Sequence, residues 1–130
     1  MPNRYGFGRT LALSFDEALA KVTAELKRQG FGILTDIDVA ATLKSKLDHN
    51  IPPYRILGAC NPAYAKRVLK DEPSIGLLLP CNVVVRQDAA GAVRVEFLDP
   101  EVMIRLTDNR TVETVANEAR EKLQQVMRAL

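Results

Sequence analysis

Two cysteines, Cys60 and Cys81, are the residues whose chemistry and local setting most strongly indicate a site. Cys60 lies directly before Asn61 and Pro62, a pair typical of a helix start, because Asn caps helices well and Pro is tolerated in the first turn. The positive end of a helix dipole lowers the pKa of a nearby thiol and increases its thiolate fraction. The sequence therefore predicts that Cys60 is the more nucleophilic thiol.

Cys81 lies between Pro80 and Asn82, at a bend in the next predicted strand. A strand, a helix and a second strand in succession would bring Cys60 and Cys81 towards one pocket. Two such thiols fit dithiol exchange or a two-thiolate site for a soft ion such as Cu(I), whereas zinc needs more ligands than the local sequence supplies. The alternative interpretation is packing for both cysteines, and local backbone hydrogen bonding for Asn61 and Asn82.

Three carboxylates form a weaker candidate site. Asp36 and Asp38 project from the same side of an extended segment, and Asp99 ends another predicted strand, which is compatible with acid-base chemistry or a hard cation. Helix capping is the favoured interpretation of Asp38 and Asp99, since Asp is strongly preferred at helix starts. Lys46, on a predicted helix surface, is a candidate for an acidic ligand, although a solvated charge is its more usual role. No residue is assigned a catalytic role.

The elements that would position these residues follow from hydrophobic periodicity and capping signals. The sequence predicts strands over 5–14, 31–37, 54–59, 76–85 and 93–98, and helices over 15–29, 38–47, 61–72, 99–105 and 112–130. Ser14 and Glu17 match a capping box. The apolar run 76–85 predicts a central strand buried on both faces, and 81–86 should pair with 93–98 as a hairpin. The pattern favours a two-layer α+β fold with helices packed on a mostly antiparallel sheet.

Composition limits the classes of function. The chain has 130 residues, a formal net charge of +2 and 5% aromatic residues. This length predicts one domain. The low net charge and few aromatic residues indicate neither a basic stripe nor an aromatic platform for binding nucleic acid. No segment resembles a signal peptide or reaches the apolar length of a membrane span, and two cysteines are too few for a disulfide scaffold. We therefore expect a cytoplasmic protein with no membrane partner.

Blocks of sequence that include both cysteines carry a family resemblance. They are Gly30-Phe31 with Thr35 and Asp38, Lys46-Leu47, Tyr54, the run 56–62 (ILGACNP), the run 76–82 (GLLLPCN) and Asp99-Pro100. Through these blocks the chain resembles the domain of unknown function 302 family, closely over about residues 30–100 and more loosely at the ends. The resemblance implies a small α+β fold similar to the TATA-binding-protein-like group, found in bacterial or archaeal proteins without an established reaction, and a homodimer.

The sequence thus predicts a noncatalytic small-ligand-binding or interaction domain spanning residues 1–130, with Cys60, Asn61, Cys81 and Asn82 at its site. The ligand would be a small apolar or anionic molecule, or a second copy of the chain. No cofactor is predicted for this function. The alternative is a thiol-based redox or soft-metal-binding protein in which Cys60 and Cys81 hold Cu(I) or exchange with each other. A third interpretation is a structural protein whose thiols are buried, far apart and inert.

Overall fold

Five strands and six helices form along residues 3–130, the part of the chain that the computed structural model describes. The elements are, in chain order, β1 (Gly6–Leu11), α1 (Phe15–Arg28), β2 (Gly32–Asp38), α2 (Val39–Leu47), β3 (Tyr54–Cys60), α3 (Pro62–Asp71), a 3-10 helix (Pro73–Leu78), β4 (Cys81–Gln87), β5 (Val93–Leu98), α4 (Glu101–Leu106) and α5 (Arg110–Ala129). Within these residues, none of the helices has the length and apolar character that crossing a bilayer requires.

The strands form one antiparallel sheet in the order β1-β5-β4-β3-β2. β4 is central, as predicted, and pairs with β5 in the predicted hairpin, where Val83 lies opposite Phe97. On its other side β4 pairs with β3, and Ala59 lies opposite Cys81. The predicted two-layer α+β architecture with helices packed on an antiparallel sheet is confirmed.

One face of the sheet packs against helices, because side chains alternate between the two faces of a strand and the apolar set points the same way. α1 contacts β4 and β5, and α5 packs against α1, α3 and α4. The main core includes Val22, Leu26, Leu57, Val83, Val85, Val95, Phe97, Leu123 and Val126. A second cluster consists of Val68, Ile75, Cys81, Met103, Val112 and Val115. The core therefore lies on the helix side of the sheet.

Local capping explains where the helices begin. Ser14 Oγ accepts a hydrogen bond from the Glu17 N–H at 3.1 Å, and the Glu17 carboxylate accepts one from the Ser14 N–H at 3.1 Å. The predicted capping box of α1 is therefore confirmed. Asp38 caps α2 by accepting a hydrogen bond from the Ala41 N–H at 2.9 Å, which confirms the second predicted cap.

The predicted strand over 76–85 is wrong in its first part, because residues 73–78 form a 3-10 helix. The last partner that β3 offers to β4 is Ala59, opposite Cys81. Pro80 has no N–H to donate to a ladder, so strand pairing stops at Cys81. The apolar residues before it are used differently, since Ile75 packs into the second core cluster beside Val68.

β4 is also not buried on both faces. Val83 and Val85 are fully buried against the helices, whereas Asn82 is exposed on the opposite side. The alternation shows that this sheet has one covered face and one face that presents polar side chains. We call the second one the open face, and it carries Asn82, Val84 and Arg86 of β4.

Candidate functional site

Cys60 is the last residue of β3, and Asn61 caps α3 directly after it. Asn61 Oδ1 accepts hydrogen bonds from the N–H groups of Ala63 at 3.1 Å and Tyr64 at 3.4 Å, so the predicted cap is confirmed. Gly30 follows α1 with a φ of +86°, and a Cβ at this position would lie 3.0 Å from Asn61 Nδ2. The amide of Asn61 is thus held between the start of α3 and the turn after α1.

Cys81 begins β4 and is 7% exposed. It lies opposite Ala59, so Cys60 is one position beyond the pair in the neighbouring strand. Both cysteines are free thiols, and they lie in adjacent strands without being directly opposed.

The pKa of Cys60 is raised, not lowered as the helix start predicts. Burial is the cause, because removing water disfavours the thiolate. The first N–H groups of α3, which would otherwise stabilise a thiolate, are already bound by Asn61 Oδ1. Burial also raises the pKa of Cys81 to about 11, with a smaller contribution from a negative charge on Cys60. Neither thiol is therefore activated as a nucleophile.

Both cysteines border a cavity of about 40 Å³ between the sheet, α3, α4 and α5, which we call the cysteine cavity. The two sequence blocks at 56–62 and 76–82 contribute Ala59, Cys60, Asn61, Leu79 and Cys81 to its lining. The other lining residues are Phe31, Tyr64, Ala65, Val68, Met103, Val112, Val115, Ala116 and Ala119. Cys60, Asn61 and Cys81, which the sequence predicts to share a site, thus lie around one apolar space.

Met103 is a site residue that the sequence does not reveal. It belongs to the short helix α4, is nearly buried, and lines the cysteine cavity with Cys60 and Cys81. Only the packing of α4 against α5 brings it there, 22 positions after Cys81 in the chain. No local motif marks it.

The fourth residue of the predicted site, Asn82, lies elsewhere. Its side chain is exposed on the open face, and it lines a different concavity from Cys81. The reason is the strand alternation at β4, which turns successive side chains to opposite faces. The structure therefore brings together Cys60, Asn61 and Cys81, and separates Asn82 from them.

Of the weaker candidates, Asp38 and Lys46 border one surface concavity together with Asp36, whereas Asp99 lies elsewhere. Arg55 binds both Asp36 and Asp38, with N···O distances of 2.8 and 3.5 Å, while Lys46 is exposed on α2. Asp99 accepts from Nε of Arg120 at 2.9 and 3.1 Å, and from the Glu101 N–H at 3.0 Å. β3 and β4 separate β2 from β5 in the sheet. Over residues 3–130, no group of three or more His, Cys, Asp or Glu side chains is arranged to hold a metal ion.

The open face carries a larger concavity of about 620 Å³, which we call the open-face depression. Its lining includes Tyr5, Gly6, Gly8, Tyr54, Asn82, Val84, Arg94, Glu96 and Leu98. Arg86 Nε donates to Glu96 Oε1 at 2.7 Å, and Arg94 Nε lies 3.4 Å from Glu96 Oε2. Burial acts to raise the pKa of Glu96, but the hydrogen bonds and charges of Arg86 and Arg94 outweigh it and lower the pKa. Glu96 is thus held as a carboxylate between two guanidinium groups.

With this geometry described, the chain can be compared with known proteins. The sequence profile of the family described as domain of unknown function DUF302 matches residues 7–130. The chain belongs to the DUF302 family. The predicted family resemblance is confirmed, and the cysteine cavity is a feature of this DUF302 member at the place where its two cysteine-containing blocks meet.

A similar fold is found in the crystal structure of an uncharacterized conserved DUF302 protein from Bacillus stearothermophilus. The two structures have a TM-score of 0.89 and 24% sequence identity, and the similarity covers 98% of each chain. At this identity the comparison establishes the fold alone. No curated protein matches the sequence.

Proposed function

We propose that this DUF302 protein is a noncatalytic binding domain that holds a small apolar molecule, or the apolar end of a larger one, in the cysteine cavity. The observation that supports this function is the convergence of the blocks 56–62 and 76–82 on one apolar space. Residues from both blocks are neighbours there through the β3–β4 pairing. Apolar cavities with a few polar groups at the edge are the usual form of small-molecule sites.

The chemistry of the lining fits binding without turnover. None of the lining residues that the structure describes is a His, Lys, Asp or Glu, so the lining supplies no strong general base. The Asn61 carbonyl oxygen is engaged in capping α3. The pKa of each cysteine is raised, so both thiols remain protonated at neutral pH.

The size of the cavity limits the ligand. About 40 Å³ is well below the roughly 150 Å³ of an engineered apolar cavity that binds benzene. The resting cavity therefore accepts a group of only a few heavy atoms. A larger guest requires side chains to move, and Met103 is the most adaptable of those in the lining, because its unbranched side chain has three rotatable bonds.

Xenon, a small apolar probe, tests this function directly. Methyl NMR signals of Val68, Met103 and Val115 should shift with xenon pressure and approach saturation. Ala65→Leu should reduce the shifts at least about tenfold, because the larger side chain projects into the lining from α3. The matched control is Ala20→Leu on the exposed side of α1, which should leave the shifts unchanged. Shifts that never saturate, or that persist equally in both variants, would contradict the proposal.

The second candidate function is a thiol-based redox or soft-metal site, favoured by three sulfur side chains at one cavity: Cys60, Cys81 and Met103. Thiolate and thioether sulfur are preferred ligands of Cu(I). Native mass spectrometry with and without Cu(I) and reductant separates the possibilities. A Cu(I) adduct, or a reductant-sensitive loss of about two hydrogens, that disappears in Cys81→Ser would support the thiol function. A protein that stays reduced and metal-free would remove it.

Location and assembly remain predictions. We infer a cytoplasmic protein from the low cysteine count. The homodimer rests on the family resemblance, and a second copy of the chain remains a candidate partner.

A further inference from the structure

We infer that the open face carries a second binding site, in the open-face depression, for a small organic carboxylate with a flat apolar body. This site lies on the opposite side of the sheet from the cysteine cavity, and its ligand would be of a different chemical class. Its size of about 620 Å³ falls within the roughly 300–1,000 Å³ typical of small-molecule pockets.

The floor of the depression is bare backbone along β1. A Cβ at Gly8 would lie 2.3 Å from the carbonyl oxygen of Val95, and one at Gly6 would lie 2.8 Å from that of Phe97. Neither position therefore accepts a side chain without displacement of β5. This keeps the β1 side of the depression flat, and leaves Val84 and Leu98 as apolar surface beside it.

Aromatic side chains border this flat surface. Tyr5 is 63% exposed at one end of the depression, and Tyr54 is half-buried at the start of β3. A planar ligand lying over Val84 and Leu98 could contact both rings, since aromatic groups gain from offset or edge-to-face contact. The lining thus favours a flat apolar body over a flexible or highly polar one.

The two guanidinium groups of the open face are compensated to different degrees. Arg86 and Arg94 lie directly opposite each other in the β4–β5 pair, an arrangement that is destabilising for like charges. Glu96 binds both of them and neutralises one of the two charges. Asp88 also acts on Arg86, but more weakly, and its carboxylate accepts hydrogen bonds from Ala90 and Ala92 in the turn. Because both Glu96 and Asp88 act on Arg86, Arg94 is the less compensated of the two guanidinium groups.

Arg94 is the group that would meet this anion. It lines the depression, and within residues 3–130 its Nη1 has only a long hydrogen bond of 3.4 Å, to Thr10 Oγ1. A guanidinium fork matches a carboxylate in two parallel hydrogen bonds. A monoanion suits the single guanidinium of Arg94, since Glu96 beside it would repel a phosphate dianion more strongly than a carboxylate. Arg94 and the apolar surface of Val84 and Leu98 together select a carboxylate on a flat body.

Benzoate is the probe for this site, with uncharged benzamide as its matched control. In a titration of ¹⁵N-labelled protein at constant ionic strength, benzoate should cause saturable shifts of the Gly8, Asn82 and Glu96 amide signals. Benzamide should bind at least about tenfold more weakly, because it lacks the charge that Arg94 recognises. Arg94→Gln should weaken the binding of benzoate to the affinity seen with benzamide.

The control for net charge is Arg9→Gln. Arg9 lies in β1 on the helix side of the sheet, so its loss should leave benzoate affinity unchanged. Arg94→Lys keeps the charge but not the fork, and should weaken binding by several-fold in a protein that remains folded. Equal binding of benzoate and benzamide, or equal effects of the two Gln variants, would overturn the inference. Open-face shifts that depend on protein concentration without benzoate would also overturn it, because a second copy would then occupy this face.

Discussion

Cys60 and Cys81 differ in exposure and in their neighbours. Cys81 is nearly buried among apolar side chains that include Met103 and Val115, whereas Cys60 is half-buried beside Asn61. In both cases the loss of water raises the thiol pKa. The same residues that define the cavity therefore keep the thiols protonated, which favours a packing or ligand-lining role over nucleophilic chemistry.

The raised pKa of Cys81 makes stability depend on alkaline pH. The thiol ionises near 9.0 in an unfolded chain and near 11 in the folded one. Between these values the unfolded state loses its proton first, so the stabilisation is complete below about pH 9 and is lost as pH rises through about 11. In urea denaturation over this pH range, the free energy of unfolding should fall by on the order of 2–3 kcal/mol more in the unmodified protein than in Cys81→Ala.

The comparison between variants is needed because other groups also titrate at alkaline pH. Cys60→Ala serves as the matched control and should retain most of the pH dependence. A Cys81→Ala protein with the same pH dependence as the unmodified one would show that burial of Cys81 does not perturb its thiol.

The sequence predicts the position of Cys60 at a helix start correctly, but not its chemistry. The helix start and the Asn61 cap are both local features. The Asn61 side chain binds the N–H groups at this helix start that would otherwise stabilise a Cys60 thiolate. Burial of Cys60 and the approach of Met103 depend on packing between distant segments. The spacing of residues along the chain does not show which distant segments pack together. The cavity is therefore recognisable only in the folded structure.

At the scale of single elements, helix caps are the strongest local signals. Asn61→Ala removes the acceptor for the N–H groups of Ala63 and Tyr64, and should cost about 1 kcal/mol of stability in urea denaturation. Asn61→Asp keeps an acceptor at the positive end of α3 and should remain within a few tenths of a kcal/mol of the unmodified protein. Equal losses in the two variants would show that the amide group, and not the cap, is what stabilises this junction.

The segment before β4 shows where local signals fail. The run from Gly76 to Val85 has the apolar composition of a strand, but β3 offers no partner before Cys81. A strand needs a neighbour for its backbone groups, and a 3-10 helix satisfies part of them internally. Ser14 and Glu17, by contrast, specify the start of α1 through contacts only three residues apart, which is why that boundary is predicted correctly.

At the scale of the whole molecule, β2 forms one edge of the sheet and exposes apolar side chains. Leu34 is 66% and Ile37 is 48% exposed, next to backbone groups that have no partner strand within residues 3–130. Such an edge favours pairing with another chain, and lysine is a residue that commonly prevents it. We therefore expect sedimentation equilibrium to give the mass of a dimer, and Leu34→Lys to give that of a monomer.

The matched control for this substitution is Leu106→Lys on α4, where the leucine is 65% exposed. It should leave the dimer intact. A monomer in the unmodified protein would contradict the homodimer that the family resemblance implies. A dimer that survives Leu34→Lys would place its interface on another surface.

The pairing of β1 with β5 has a further consequence, for the order in which the chain assembles. Gly6 lies opposite Leu98, and Phe7 stacks on Phe97 with ring centroids 5.6 Å apart. During synthesis β1 emerges first, yet its partner strand is made about ninety residues later. Closing so long a loop is entropically costly, while β4 and β5 need only a short turn. We therefore expect β1, the first of the five strands to be synthesised, to be the last to join the sheet.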